Sequence, residues 1–159
     1  MLKKIGYIFL AVLVIIQFFR PARNESPGPQ ANAIATKYTV PEPVGVIMKK
    51  ACNDCHSNNT VYPWYANVQP VAWWLADHVN EGKGELNFDE FGTYSAKKAH
   101  HKLEEVIEMV KEDEMPLGSY TVIHQDAKLT EQEKMALTEW AGNLMKQIES
   151  TSPEVLEKK

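Results

Sequence analysis

The stretch ACNDCHSNNTVYPWY, residues 51–65, holds both cysteines of the chain, and a histidine directly follows the second. Three chemistries use a Cys-x-x-Cys pair. A structural zinc site needs four ligands, usually as two close pairs. Cys52 and Cys55 supply one pair. The histidines are His56, His78, His100, His101 and His124, and none are spaced as in a zinc finger. A thioredoxin-like redox disulfide starts a helix in a βαβ setting. Here an apolar helical segment precedes the cysteines and no strand pattern surrounds them.

The third chemistry is c-type haem attachment through Cys-x-x-Cys-His, and it accounts for each position. Each S–H adds across one vinyl C=C of the porphyrin, so Cys52 and Cys55 become thioethers along one edge. His56 is then held under the iron as proximal ligand, while Asn53 and Asp54 span the gap. This reading of haem c, one group bound covalently, is the favoured one.

Working outward, the signals are helical. Val44 to Cys52 is a short apolar segment. Pro70 to Glu81, stopped by Gly82, has the proline-first, glycine-last order of a helix. Ser95 caps a helix to about Asp113, with Ala99, Leu103, Val106, Ile107 and Val110 forming one apolar stripe. Thr130 and Glu133 form a capping box for a last helix, whose stripe is Leu137, Trp140, Ala141, Leu144 and Ile148. The expectation is an all-α domain of four to five helices with long loops, spanning 43–149 and followed by a polar tail, 150–159.

The N-terminus, residues 1–20, reads as a signal-anchor or transmembrane segment. Lys3 and Lys4 precede an apolar run broken only by Gly6, Tyr7 and Gln17. An uncleaved single-pass anchor is favoured over a cleaved signal, since no small-residue cleavage site follows promptly. Either reading places the domain outside the cytoplasm, on the periplasmic side of the cell membrane, with the lysines inside. Residues 21–42 contain four of the nine prolines and read as a flexible linker. The formal charge of −4 offers no basic excess for phosphates, so nucleic acid is not an expected partner.

A second axial ligand would complete the iron. Met115 is the leading candidate, because Pro116 follows it directly and a loop methionine can be held rigidly over a ring. His78 and His124 are the alternatives. Met48 lies too near the attachment site, and Met109, Met135 and Met145 read as core filler. A thioether ligand gives a higher potential than a second imidazole. Trp64, Trp73, Trp74, Tyr62 and Tyr65 suit either the pocket wall or the core. The acidic residues from Glu104 to Glu114 read as a solvated face.

CHSNNTVYPWY, with QPVAWWLADHVNEGKGELNF and EMPLGSYTVIHQDAKLTEQEKMALTEWA, resembles the small bacterial haem-binding-domain proteins related to c-type cytochromes. The resemblance spans about 45–145. It implies one covalent haem on a cytochrome c-like helical scaffold, with Cys52 and Cys55 as attachment residues and His56 as proximal ligand. Met115 matches the Met-Pro element before the last helix, although Leu117 stands where the family usually has a second proline. The expected function is a membrane-tethered electron carrier with an unidentified redox partner, rather than an enzyme. A haem-based sensor with an open distal site is the alternative, and a peroxidase-like activity ranks third.

Overall fold

The computed structural model describes residues 1–156. Among these there is no strand. The eight helices are α1 (Leu2–Ile16), α2 (Ile34–Lys37), α3 (Glu42–Ala51), α4 (Asn53–His56), α5 (Val71–Glu85), α6 (Ala96–Lys111), α7 (Gly118–Ile123) and α8 (Glu131–Thr151). The four long helices of the domain, α3, α5, α6 and α8, fall where the short apolar segment, the proline and glycine boundaries and the two apolar stripes place them. The extra ones, α2, α4 and α7, have too few turns to produce a repeating apolar stripe.

The core lies between α6 and α8, with α3 packed across α8. α6 buries Ala99, Leu103 and Val110, while α8 buries Leu137, Trp140, Ala141, Leu144 and Ile148. Val106 and Ile107 pack at its margin. Both expected caps form. Ser95 Oγ accepts from the Lys98 amide at 3.3 Å. The Thr130 amide donates to Glu133 Oε2 at 2.9 Å, and the Glu133 amide donates back to Thr130 Oγ1 at 3.3 Å. Met48 and Met145 contribute to the core, but Met135 is exposed on the outer face of α8 and fills nothing.

Outer faces carry the charge. Lys102 pairs with Glu85 at 2.9 Å and Glu105 at 2.7 Å, and His101 faces Glu104 and Glu105. The acidic side of α6 is thus solvated, as expected.

Residues 21–42 do not form a free linker. Ile34 is only 4% exposed and belongs to the core. Its amide donates to the Phe88 carbonyl at 2.7 Å. Asn24 Nδ2 donates to the Ser57 carbonyl and Thr60 Oγ1, both at 2.9 Å, and Trp140 Nε1 donates to the Thr39 carbonyl at 3.1 Å. Proline content suggests looseness, yet the side chains of Arg23, Asn24, Gln30, Asn32, Thr36 and Lys37 each have a hydrogen-bond partner. The tail also differs from expectation. α8 runs to Thr151 and Val155 packs on the core, while residues 157–159 lie outside the described residues.

The expected membrane-spanning helix finds no support in the helix lengths. No described helix is long and apolar enough to cross a membrane. α1 has 15 residues, a rise of about 22 Å at 1.5 Å per residue, against a hydrocarbon core of about 30 Å. After Lys3 and Lys4 its side chains are nonetheless apolar on all sides, and none is buried.

Truncating Ile34 separates a packed segment from a tether. Ile34→Ala should lower stability by about 2–5 kcal/mol, the usual range for emptying a buried aliphatic site. Chemical denaturation checks this, and an unchanged midpoint would restore the linker reading.

Candidate haem site

Cys52 is both the last cap of α3 and the first cap of α4. Its amide donates to the Met48 carbonyl at 2.9 Å, while its own carbonyl accepts from the amides of Cys55 at 3.2 Å and His56 at 3.0 Å. The motif is therefore one helical turn, with Cys52 and His56 four residues apart on one face. Neither cysteine is in a disulfide. Burial pushes the Cys52 thiol up to about 12 and the Cys55 thiol up to about 11, so both stay protonated at neutral pH.

His56 is fixed by the chain that follows α5. Its Nδ1 lies 2.9 Å from the Leu86 carbonyl. A carbonyl only accepts, so Nδ1 carries the proton and Nε2 keeps a free lone pair. The Phe88 amide donates to the His56 carbonyl at 2.8 Å, pinning the same residue a second time. Burial lowers the His56 pKa, against a smaller opposing effect of the Leu86 bond, which keeps the ring neutral. Hydrogen-bonding one nitrogen to a backbone carbonyl is the usual way a ligand imidazole is oriented.

α5 extends beyond its predicted stop. It continues through Gly82 to Glu85. Gly82 is a contact residue rather than a terminator: a Cβ there would lie 2.8 Å from the Cys55 carbonyl oxygen and 3.0 Å from Cys55 Cβ. Only a glycine lets α5 approach the Cys52–His56 turn this closely.

A second part of the site begins where α6 ends. Asp113 takes φ 59°. The Glu114 amide donates to the Met109 carbonyl at 2.9 Å, and the Asp113 amide lies 3.4 Å from the Val110 carbonyl. This is a Schellman termination, so α6 stops before Pro116 is reached. Met115 is fastened there by its own amide, 3.1 Å from the Met109 carbonyl. Beyond it, Tyr120 on α7 donates its hydroxyl to Asp54 Oδ2 at 2.7 Å. Burial, followed by that bond, raises the Tyr120 pKa. Asp54 Oδ1 also accepts from the Val61 amide at 3.0 Å. Asp54 therefore does more than span the gap, because it joins the attachment turn to α7 and to the following loop. Sequence spacing carried no sign of this.

Between these walls is a cavity of about 310 Å³. Cys52, Cys55 and His56 line it from α4 and its cap, His78, Glu81 and Gly82 from α5, and Met115, Pro116, Leu117 and Tyr120 from the α6–α7 connection and α7. His78 donates from Nδ1 to the Trp74 carbonyl at 2.9 Å, leaving its Nε2 free as well. His124 is not part of this lining. It borders a smaller adjoining hollow, its Nε2 is 2.7 Å from the Tyr65 hydroxyl, and its ring stacks on Tyr120 at 4.3 Å.

The aromatic group fits neither expected role completely. Trp64 is 79% exposed and lines neither hollow, while Tyr65 and Trp74 border the small one. The loop at Ser57–Thr60 is not pocket wall either. Asn58 bonds to Gln30, Asp89, Glu90 and Asn87, holding the N-terminal segment and the 87–90 turn together.

Soft sulfur donors and a neutral, oriented imidazole beside carbon walls suit an iron porphyrin. The class of protein so defined is a small all-helical haem-binding protein. By its match to the family model described as Haem-binding domain, over residues 11–143, the chain belongs to that family. Comparison with the curated proteins and with the solved structures gives no match.

Two glycines two residues apart test the close approach. Gly84 has nothing within 4 Å of a Cβ, so Gly84→Ala should stabilise by up to about 1 kcal/mol through helix propensity. Gly82→Ala gains the same propensity but meets the Cys55 backbone, and should destabilise. Thermal melts of the two variants should move in opposite directions.

Proposed function

We propose that this protein is a membrane-associated monohaem c-type cytochrome that passes single electrons. Cys52 and Cys55 would hold haem by two thioethers, His56 Nε2 would be the proximal ligand and the Met115 sulfur the distal one. The observation that carries this reading is that one cavity is lined by both cysteines, by an imidazole whose Nδ1 is bonded away and by a methionine. Haem, when bound, supplies a one-electron ferric–ferrous couple. The chain's part is to orient His56 through Leu86, to hold the Met115 loop through the α6 terminus and the Tyr120–Asp54 bond, and to exclude water with Pro116 and Leu117.

His78 supports a second ligand set, since it lines the same cavity with its Nε2 free. Bis-imidazole ligation would give a lower potential than His/Met ligation. An open distal site would instead make the domain a sensor. The electron partner is a separate redox protein. α1 enters the membrane as an anchor, the length its 15 residues lack being made up by Lys4 and Arg20, whose long side chains reach toward the headgroups, and the domain lies outside the cytoplasm.

Replacing both thiols, Cys52→Ala with Cys55→Ala, should abolish haem that survives denaturation. Retention of haem by the denatured variant would refute covalent attachment. Met115→Ala should eliminate the far-red sulfur-to-iron charge-transfer band of the oxidised protein and lower its potential. If the unaltered protein has no such band and His78→Ala changes its spectrum, His78 is the ligand. Rapid, complete carbon monoxide binding by the reduced protein would favour the sensor.

A further inference from the structure

Charge is distributed unevenly over this fold. Residues 57–76 and 115–124 contain no Asp, Glu, Lys or Arg, in a chain that is 24% charged. These two segments form one side of the molecule, where Tyr65, Val71 and Trp74 meet Leu117 and Ile123 around the small hollow. Large apolar side chains stand out from it: Val61 is 75% exposed, Trp64 79% and Val122 70%. Val68, Val71, Trp73, Trp74 and Ile123 in these segments are exposed as well; outside them and outside α1 and its end, the exposed large apolar residues among those described are Val46 and Met135. Val61, Trp64, Trp73 and Val122 line neither hollow, so filling the cavity with haem would leave them uncovered.

This face is joined directly to the apolar N-terminal helix. Gln17, the polar break near the end of the apolar run, accepts from the Gln69 amide at 2.9 Å. Gln69 Nε2 and Trp73 Nε1 both donate to the Phe19 carbonyl, at 2.9 and 2.8 Å. Arg23 sits at the junction, 2.8 Å from Asn67 Oδ1 and 4.9 Å from the centre of the Tyr62 ring. α1, with no buried side chain, therefore leaves the domain at the edge of its charge-free side.

We propose that the face formed by residues 61–74 and 119–123 lies on a phospholipid bilayer beside inserted α1. Indoles and phenols favour the headgroup level, where an apolar ring meets a wet boundary. Arg20 and Arg23, at the junction, are placed to meet lipid phosphates. The inference rests on α1 entering the membrane. It goes further in fixing the orientation: the domain lies against the surface with the cavity mouth near the lipid, rather than swinging on a tether.

Hydrogen exchange of the full-length protein tests this, comparing phosphatidylcholine/phosphatidylglycerol vesicles with neutral detergent micelles. Peptides covering 61–68 and 118–124 should exchange several-fold more slowly on vesicles, while α6 is unchanged. The double variant Trp64→Glu, Val122→Glu should lose that slowing, yet still pellet with vesicles and keep the same helical circular dichroism. A chain that pellets without slowing at these segments overturns the proposal and leaves the face to a protein partner. A chain that fails to pellet overturns α1 insertion itself, and the proposal with it.

Discussion

His56 is held twice by the three residues after α5, through Nδ1 to the Leu86 carbonyl and through its own carbonyl to the Phe88 amide. The site depends on this double clasp. It fixes the imidazole tautomer, because a carbonyl leaves only Nδ1 to carry the proton. It also sets the separation of α4 and α5, which meet so closely that only Gly82 fits against Cys55. Phe88 is itself bonded through its carbonyl to Ile34. The same short stretch thus connects the attachment turn to the N-terminal segment and the core.

The wall that carries Met115 is built by different means. Its helix ends in a backbone motif at Asp113, a residue that tolerates the left-handed region better than most. Asp113 also pairs with Lys134 of α8 at 2.6 Å, so the turn that presents Met115 is tied to the last helix. Tyr120 then fastens α7 to Asp54, inside the Cys-x-x-Cys-His turn. The two walls are therefore linked through the protein itself. A methionine in such a loop has a defined approach to the cavity before any ligand enters it.

Much of the fold was legible as pattern. The stripes of α6 and α8 name the core because a 3.6-residue period can be satisfied only by one buried face. The caps at Ser95 and Thr130 were legible for the same local reason. Gly82 was misread: glycine marks a helix stop and a close approach equally well, and sequence does not show what lies opposite. The proline-rich segment was misread because its order comes from distant partners, Phe88, Ser57 and Trp140, rather than from its own composition. Asp54 and Tyr120 are 66 positions apart, and nothing local marks either as half of a pair.

The sequence alone determined the helical class and the core stripes, since each depends on residues within a few positions of one another. It also carried the family, through the same contiguous motifs. Tertiary structure decided the rest. It brought Met115 and His78 to the cavity and kept His124 outside it, freed Nε2 of His56, and gathered two charge-free segments into one face next to α1. Those outcomes depend on bonds between positions tens of residues apart, whose partners exist only once the chain has folded.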